Sequence, residues 1–172
     1  IKIIRHAIET ANEQVGIQAE LDPGKSGMGT TLVAVTVVGY YAYIANVGDS
    51  RLYVSDSHGL IQITRDHSWI AELVRRGELS KEEAMDHPGK NIITRAVGTA
   101  PEVNIDFFDV ELEEGNKILM CSDGLSNMVR DDVMQEILQA SENIEESAEK
   151  MVQQANENGG KDNISVIIIE PF

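Results

Sequence analysis

The sequence predicts an α+β fold, and three observations carry that prediction. Apolar, β-branched runs are grouped between residues 30 and 64 and again between 103 and 121, with one more at 164–169. Segments with helical spacing lie at the start, in an insertion at 67–95 and after residue 131. Strands and helices are therefore segregated rather than alternating, and segregation points to antiparallel sheets and not to β-α-β units.

Ile1, Ile4, Ile8, Ala11 and Val15 recur at helical spacing, so residues 1 to about 16 are expected to form a helix with one apolar stripe. The chain begins within this pattern without a methionine, which leads us to expect that the natural N-terminus lies upstream. Asp22-Pro23-Gly24 turns the chain into the run Thr30 to Val38, apolar on both faces and expected to be buried on both. Gly39 marks a hairpin to Tyr40–Val47; Ser50–Val54 and Leu60–Thr64 complete an expected four-stranded meander.

After Asp66-His67-Ser68 the period changes to Ile70, Leu73 and Val74 on one helical face, with Asp66 or Ser68 as N-cap. Ser80 and Glu83 have capping-box spacing, and His87-Pro88-Gly89 ends the second short helix. Residues 67–95 thus form a mostly helical, largely exposed insertion. Val103–Leu112 alternates as a strand. Glu113-Glu-Gly-Asn116 then turns into Lys117–Cys121. Asp131 or Asp132 caps a helix carrying Val133, Ile137 and Leu138, and a second helix carries Ile144, Ala148, Met151, Val152 and Ala155. The whole chain, 1–172, reads as a single domain.

Composition narrows the function. The 172 residues, 42% hydrophobic and 25% charged, suit a globular domain with a substantial core. A net charge of −15 argues against nucleic acid, whose phosphates demand basic patches. No apolar run reaches the roughly 18 residues of a membrane span, and one cysteine excludes an internal disulfide, so membrane insertion is not expected and a cytoplasmic location is. An acidic protein that handles phosphate needs a cation to offset repulsion.

Familiar phosphate and nucleophile motifs fail on inspection. Gly24-Lys25-Ser26 resembles the end of a P-loop, but Ala19 stands where the first glycine is required and a strand follows. Gly48-Asp-Ser-Arg51-Leu52 lacks the last glycine of a serine-hydrolase elbow. Cys121 has no arginine in the phosphate loop that a cysteine phosphatase would need, and reads as a buried core residue. His6, His58, His67 and His87 show no zinc spacing. What remains are aspartates at strand ends: Asp49, Asp66, Asp123 and Asp162. If the strand ending at Cys121 and the last strand are antiparallel neighbours, about 5 Å apart, Asp123 and Asp162 converge. Ser122-Asp-Gly124 is equally readable as an ordinary turn. Oxygen ligands of this kind suit Mg²⁺ or Mn²⁺.

Six segments in order, Gly27-Met-Gly-Thr-Thr31, Gly48-Asp-Ser-Arg51, Thr64-Arg-Asp-His-Ser68, Asn91-Ile-Ile-Thr-Arg-Ala-Val-Gly98, Cys121-Ser-Asp-Gly-Leu125 and Gly160-Lys-Asp-Asn-Ile164, resemble the metal-dependent protein phosphatase 2C family, especially its compact bacterial serine/threonine phosphatases. The resemblance implies a four-layer α-β-β-α sandwich and hydrolysis of phosphoserine and phosphothreonine by a metal-activated water. It implies Mn²⁺ or Mg²⁺ as cofactor, two ions and a third weaker one. Asp123 and Asp162 match metal ligands, and Asp66 matches the ligand of the third ion. Asp49, Gly124, Asn163 and Ser68 match site-shaping positions, and residues 67–95 match a mobile flap. Phosphorylated proteins, including a cognate serine/threonine kinase, are the implied partners.

The family's opening segments, with an Arg, an Asn-Glu-Asp stretch and an Asp-Gly turn, have no match in this chain. They supply the phosphate-binding arginine and the remaining metal aspartates. The chain alone is therefore expected to be inactive, with sheet edges open to association. A non-catalytic, regulatory relative of the family is the alternative reading.

Overall fold

The structure, a computed structural model, describes residues 1–85 and 87–172. It contains six α-helices, α1 Lys2–Leu21, α2 Trp69–Arg75, α3 Lys81–Met85, α4 Asp123–Ser126, α5 Asp131–Ala140 and α6 Ile144–Glu157, among the described residues. The strands are β1 Leu32–Val38, β2 Tyr41–Val47, β3 Arg51–Ser55, β4 Leu60–Gln62, β5 Asp106–Glu111, β6 Lys117–Cys121 and β7 Val166–Ile169. They form one sheet of order β1-β2-β5 and a second of order β4-β3-β6-β7. The class is α+β, as the sequence predicts. Residues 1–36, 43–49 and 66–108 make one compact unit, and 37–42, 50–65 and 109–172 a second.

In the first unit, Ile4, Ile8 and Ala11 of α1 pack on Leu32, Ala45, Val47, Val97, Val103, Ile105 and Phe107. The helix runs five residues past its expected end, because Gly16 is tolerated within a helix whose apolar face is already docked. Asn12 is buried in that face. Its amide donates to the Ala100 carbonyl at 2.9 Å, and its Oδ1 accepts the Gly98 N–H at 2.7 Å. A Cβ on Gly98 would lie 2.1 Å from Val15 Cγ1, and its φ of +92° suits only glycine, so α1 and the 96–101 loop fit in one register.

The second unit is an antiparallel sheet under helices. β3 pairs with β4 and β6, and β6 with β7, in the register Cys121 to Val166 and Ile118 to Ile169. Tyr53, Leu119 and Cys121 share a core with Leu125, Val129, Met134, Leu138, Met151 and Ala155 from the helical segments. Lys117 Nζ donates to the Leu138 carbonyl at 3.1 Å, placing a cation at the C-terminal turn of α5.

Three local expectations are corrected. The four-stranded meander is two hairpins in different sheets: β1 and β2 turn at Gly39 and Tyr40, while β3 pairs with β4 after the Gly48–Ser50 connection. β1 is not buried on both faces, and none of its residues is fully buried, because it is an outer strand of its sheet. Neither Asp131 nor Asp132 caps α5; Arg130 holds that position and both aspartates lie in the first turn, where they face the positive end of the helix. The capping box forms as expected, with Ser80 N–H donating to Glu83 Oε2 at 2.9 Å and Glu83 N–H to Ser80 Oγ at 3.1 Å. Residue 86 of the 67–95 insertion lies outside the described residues.

Candidate metal and phosphate site

β6 ends in buried Cys121, and the next two residues leave the sheet together with the chain entering β7. The Ser122 N–H donates to the Ser165 carbonyl at 3.1 Å. Its hydroxyl accepts the Ser165 N–H at 3.0 Å and donates to the Asn163 carbonyl at 3.1 Å. One serine therefore stitches both loops where the ladder has stopped. Asp123 then opens the short helix α4 rather than a simple turn, and its carbonyl accepts the Asn127 N–H at 2.8 Å.

Gly124 explains why the loops come so close. A Cβ there would lie 2.2 Å from the Asn163 carbonyl oxygen and 2.9 Å from its carbon, well inside any real contact. Within the second loop the Asn163 N–H donates to Asp162 Oδ1 at 2.7 Å. The structure thus brings Asp123, Gly124, Asp162 and Asn163 into one cluster.

Its electrostatics are unbalanced. Burial raises the Asp123 pKa, and repulsion from the Asp162 carboxylate raises it further. The Gly124 N–H and the Arg51 charge oppose this without cancelling it. Asn127 Nδ2 donates to Asp123 Oδ2 at 3.3 Å. Such a pair is relieved by a cation between the carboxylates, and an all-oxygen donor set fits a hard ion such as Mg²⁺ or Mn²⁺. Among the described residues no group of three or more His, Cys, Asp or Glu side chains is gathered to hold a metal. An ion held by Asp123 and Asp162 would need further oxygen ligands beside these two carboxylates.

Asp49, Asp66 and Ser68 lie on adjacent loops of the first unit. His67 joins those loops: its N–H donates to the Gly48 carbonyl at 2.9 Å, and its Nδ1 accepts the Gly48 N–H at 3.0 Å. With Nδ1 accepting, the proton sits on Nε2, which lies 3.1 Å from Asp106 Oδ2. Arg95 Nη1 donates to Asp106 Oδ1 at 2.7 Å and lies 3.2 Å from His67 Nε2. Burial holds the His67 pKa below its ordinary value, against the pull of Asp106, so the ring is neutral. At Asp106 burial acts upward, but the hydrogen bonds from His67 and Arg95 outweigh it and the carboxyl stays below its ordinary value. Ser68, not Asp66, caps α2, its Oγ accepting the Ala71 N–H at 3.2 Å.

Sequence reasoning missed Ser122, Asn127, Arg51 and His67 as members of this framework. Asn127 stands four residues after Asp123, a signal usable only once α4 is known to be a helix. Ser122 and Arg51 depend on strand register, and His67 on partners 19, 28 and 39 positions away in sequence.

The description "Protein phosphatase 2C" belongs to the family model that matches residues 2–165. The chain is 45% identical over 167 residues to the serine/threonine phosphatase stp of Listeria monocytogenes, covering 97% of this chain and 66% of that protein. Crystallised Stp1 of Staphylococcus aureus superposes with a TM-score of 0.93 at 37% identity, covering 97% of this chain and 66% of that one. The catalytic domain of PstP, solved in complex with two manganese ions, superposes with a TM-score of 0.87 at 35% identity over 96% of this chain and 68% of that one. The chain spans just under two thirds of the length of the stp protein it matches. A family match over nearly its entire length, with the fold and the Asp123–Asp162 seam on the page, makes the chain a member of the protein phosphatase 2C family.

Proposed function

We propose that the protein carrying this chain hydrolyses phosphoserine and phosphothreonine esters of other proteins with Mn²⁺ or Mg²⁺ as cofactor. The observation that carries the proposal is the Asp123–Asp162 pair: two carboxylates brought together at a glycine-permitted seam, one of them with a raised pKa. Divalent cations, when bound, supply activation of water and neutralisation of phosphoryl charge.

The chain's own residues do the rest of the positioning. Asp123 and Asp162 would hold a cation from two loops, and the bare Cα of Gly124 lets those loops meet. Asn127 helps fix the orientation of the Asp123 carboxylate by donating to Oδ2. Asp66 is proposed as a ligand of a third, weaker ion, while Asp49, Ser68 and Asn163 shape the loops. Cys121 takes no covalent part, being buried in the core. Residues 1–172 act as part of one phosphatase domain with a flap at 67–95. Its partners are phosphorylated proteins, including a cognate kinase, in the cytoplasm. The outer strands offer edges for association. No helix of the described residues is long and apolar enough to cross a membrane.

Manganese-dependent release of phosphate from a phosphothreonine peptide tests the proposal in the full-length protein. Asp123→Ala is expected to lower the rate by at least about 100-fold, since it removes half of the carboxylate pair. A variant that keeps its rate within about twofold would falsify the assignment. Residues 1–172 alone are expected to release no measurable phosphate, because two carboxylates do not build a two-metal centre.

A further inference from the structure

The segment after His67 makes an excursion within the first unit and comes back to the point it left. Trp69 N–H donates to the Ile92 carbonyl at 2.9 Å, Thr94 N–H donates to the His67 carbonyl at 2.8 Å, and Ser68 bridges Ile93. The excursion between carries α2 and α3 on a narrow stem. Its outgoing and returning ends meet beside the buried His67 ring, which is 5% exposed while Arg95 and Asp106, which it touches, have side chains 39% and 35% exposed. One ring nitrogen grips the turn at Gly48, the next residue to Asp49. The other meets Asp106 at the start of β5 and Arg95 at the returning end.

We propose that His67 is a positioning residue that clamps the base of the 67–95 excursion, using both ring nitrogens to tie the Gly48 turn to the Arg95–Asp106 pair. The clamp holds Asp66, the residue before it, in a fixed place relative to Asp49. It also limits how far the excursion swings when a phosphoprotein chain is received. The backbone bonds of the stem are ones that any residue at position 67 would make. The side chain is different: imidazole places an acceptor at Nδ1 and a donor about 2 Å further out at Nε2, whereas the amide of Asn or Gln carries both at one reach, so histidine suits this position although no histidine chemistry is used. Asn12, which holds the 96–101 loop just beyond Arg95, secures the strand of the stem that the clamp pulls on.

The inference about substrate reception rests on the phosphatase reading; the clamp itself does not. Two substitutions separate its arms. His67→Asn keeps an acceptor where Nδ1 lies and loses the reach to Asp106. His67→Gln keeps an amide donor toward Asp106 and leaves the Gly48 N–H without its acceptor. Trypsin reads the excursion directly through Arg75 and Arg76, whose side chains are 56% and 60% exposed.

In the full-length protein both variants are expected to raise cleavage at these arginines by about tenfold, with sites outside 67–95 cut at the unaltered rate. KM for a phosphothreonine peptide is expected to rise by more than kcat falls. Arg95→Ala is expected to loosen the excursion likewise, and Arg95→Lys, which keeps a cation on Asp106, to restore most of the protection. Folded variants with unaltered cleavage at Arg75 and Arg76, or with cleavage raised equally along the chain, overturn the clamp. If neither His67 variant folds, the Arg95 pair decides by the same criteria. Protected cleavage in a wild-type protein that releases no phosphate sinks the phosphatase reading and leaves the clamp standing.

Discussion

Gly124 carries no side chain because the Asn163 carbonyl occupies the place where one would start. Its backbone is helical, so any residue could adopt the conformation; the constraint is steric alone. Gly124→Ala is expected to push the Asp123 and Asp162 loops apart, costing about 1–3 kcal/mol as overpacking does. It is also expected to weaken Mn²⁺ binding by at least about tenfold, since a carboxylate displaced by a few tenths of an ångström no longer matches the near-ideal geometry that small cations require. Titration calorimetry with Mn²⁺, beside urea unfolding, reads both quantities. Unchanged affinity in a destabilised variant would show the seam to be structural only.

Elements were legible where the signal is local. β6 was found residue for residue because the Glu113–Asn116 turn bounds it on one side and Ser122-Asp123-Gly124 on the other. The Ser80–Glu83 box is likewise a relation within four residues, and it forms. Pairing is not local. The sequence suggested that β2 should lie beside β3, since a short connection joins them, whereas the chain changes sheets at Gly48, whose φ of +107° turns it away and whose Cβ would strike Thr31. The same limit governs the site. Aspartates at strand ends advertise themselves, but the partners that orient them, Ser122, Asn127 and Arg51, become visible only with register. α6 shows what a local signal is worth. Asn143 Oδ1 accepts the Glu146 N–H at 2.8 Å at its N-terminus, an N-cap made within four residues. Asn143→Ala is expected to cost about 1 kcal/mol, and Asn143→Ser only a few tenths, measured as a shift in the urea midpoint at constant slope.

At the scale of the molecule, a charge of −15 on 172 residues favours any process that spreads or screens it. Raising NaCl from about 0.02 to 0.3 M shortens the Debye length from about 20 to about 6 Å, so the metal-free protein is expected to melt several degrees higher in the saltier buffer. The Arg76–Glu72, Arg130–Asp132 and Lys150–Glu146 pairs are exposed and contribute little even at low salt, which leaves self-repulsion as the dominant salt-sensitive effect. A falling melting temperature across that range would show attractive pairs to dominate instead.

Asn12 gives the first helix an address as well as a surface. An amphipathic helix held only by Ile4, Ile8 and Ala11 could be exchanged for any other with a similar apolar stripe. One whose buried amide reads the Gly98 N–H and the Ala100 carbonyl cannot. For chimera building, this means a donor helix must be chosen by a single polar position, aligned to the residue, before its hydrophobicity is considered. A shuffled helix of equal apolar content would dock one turn out of place and carry the wrong loop with it.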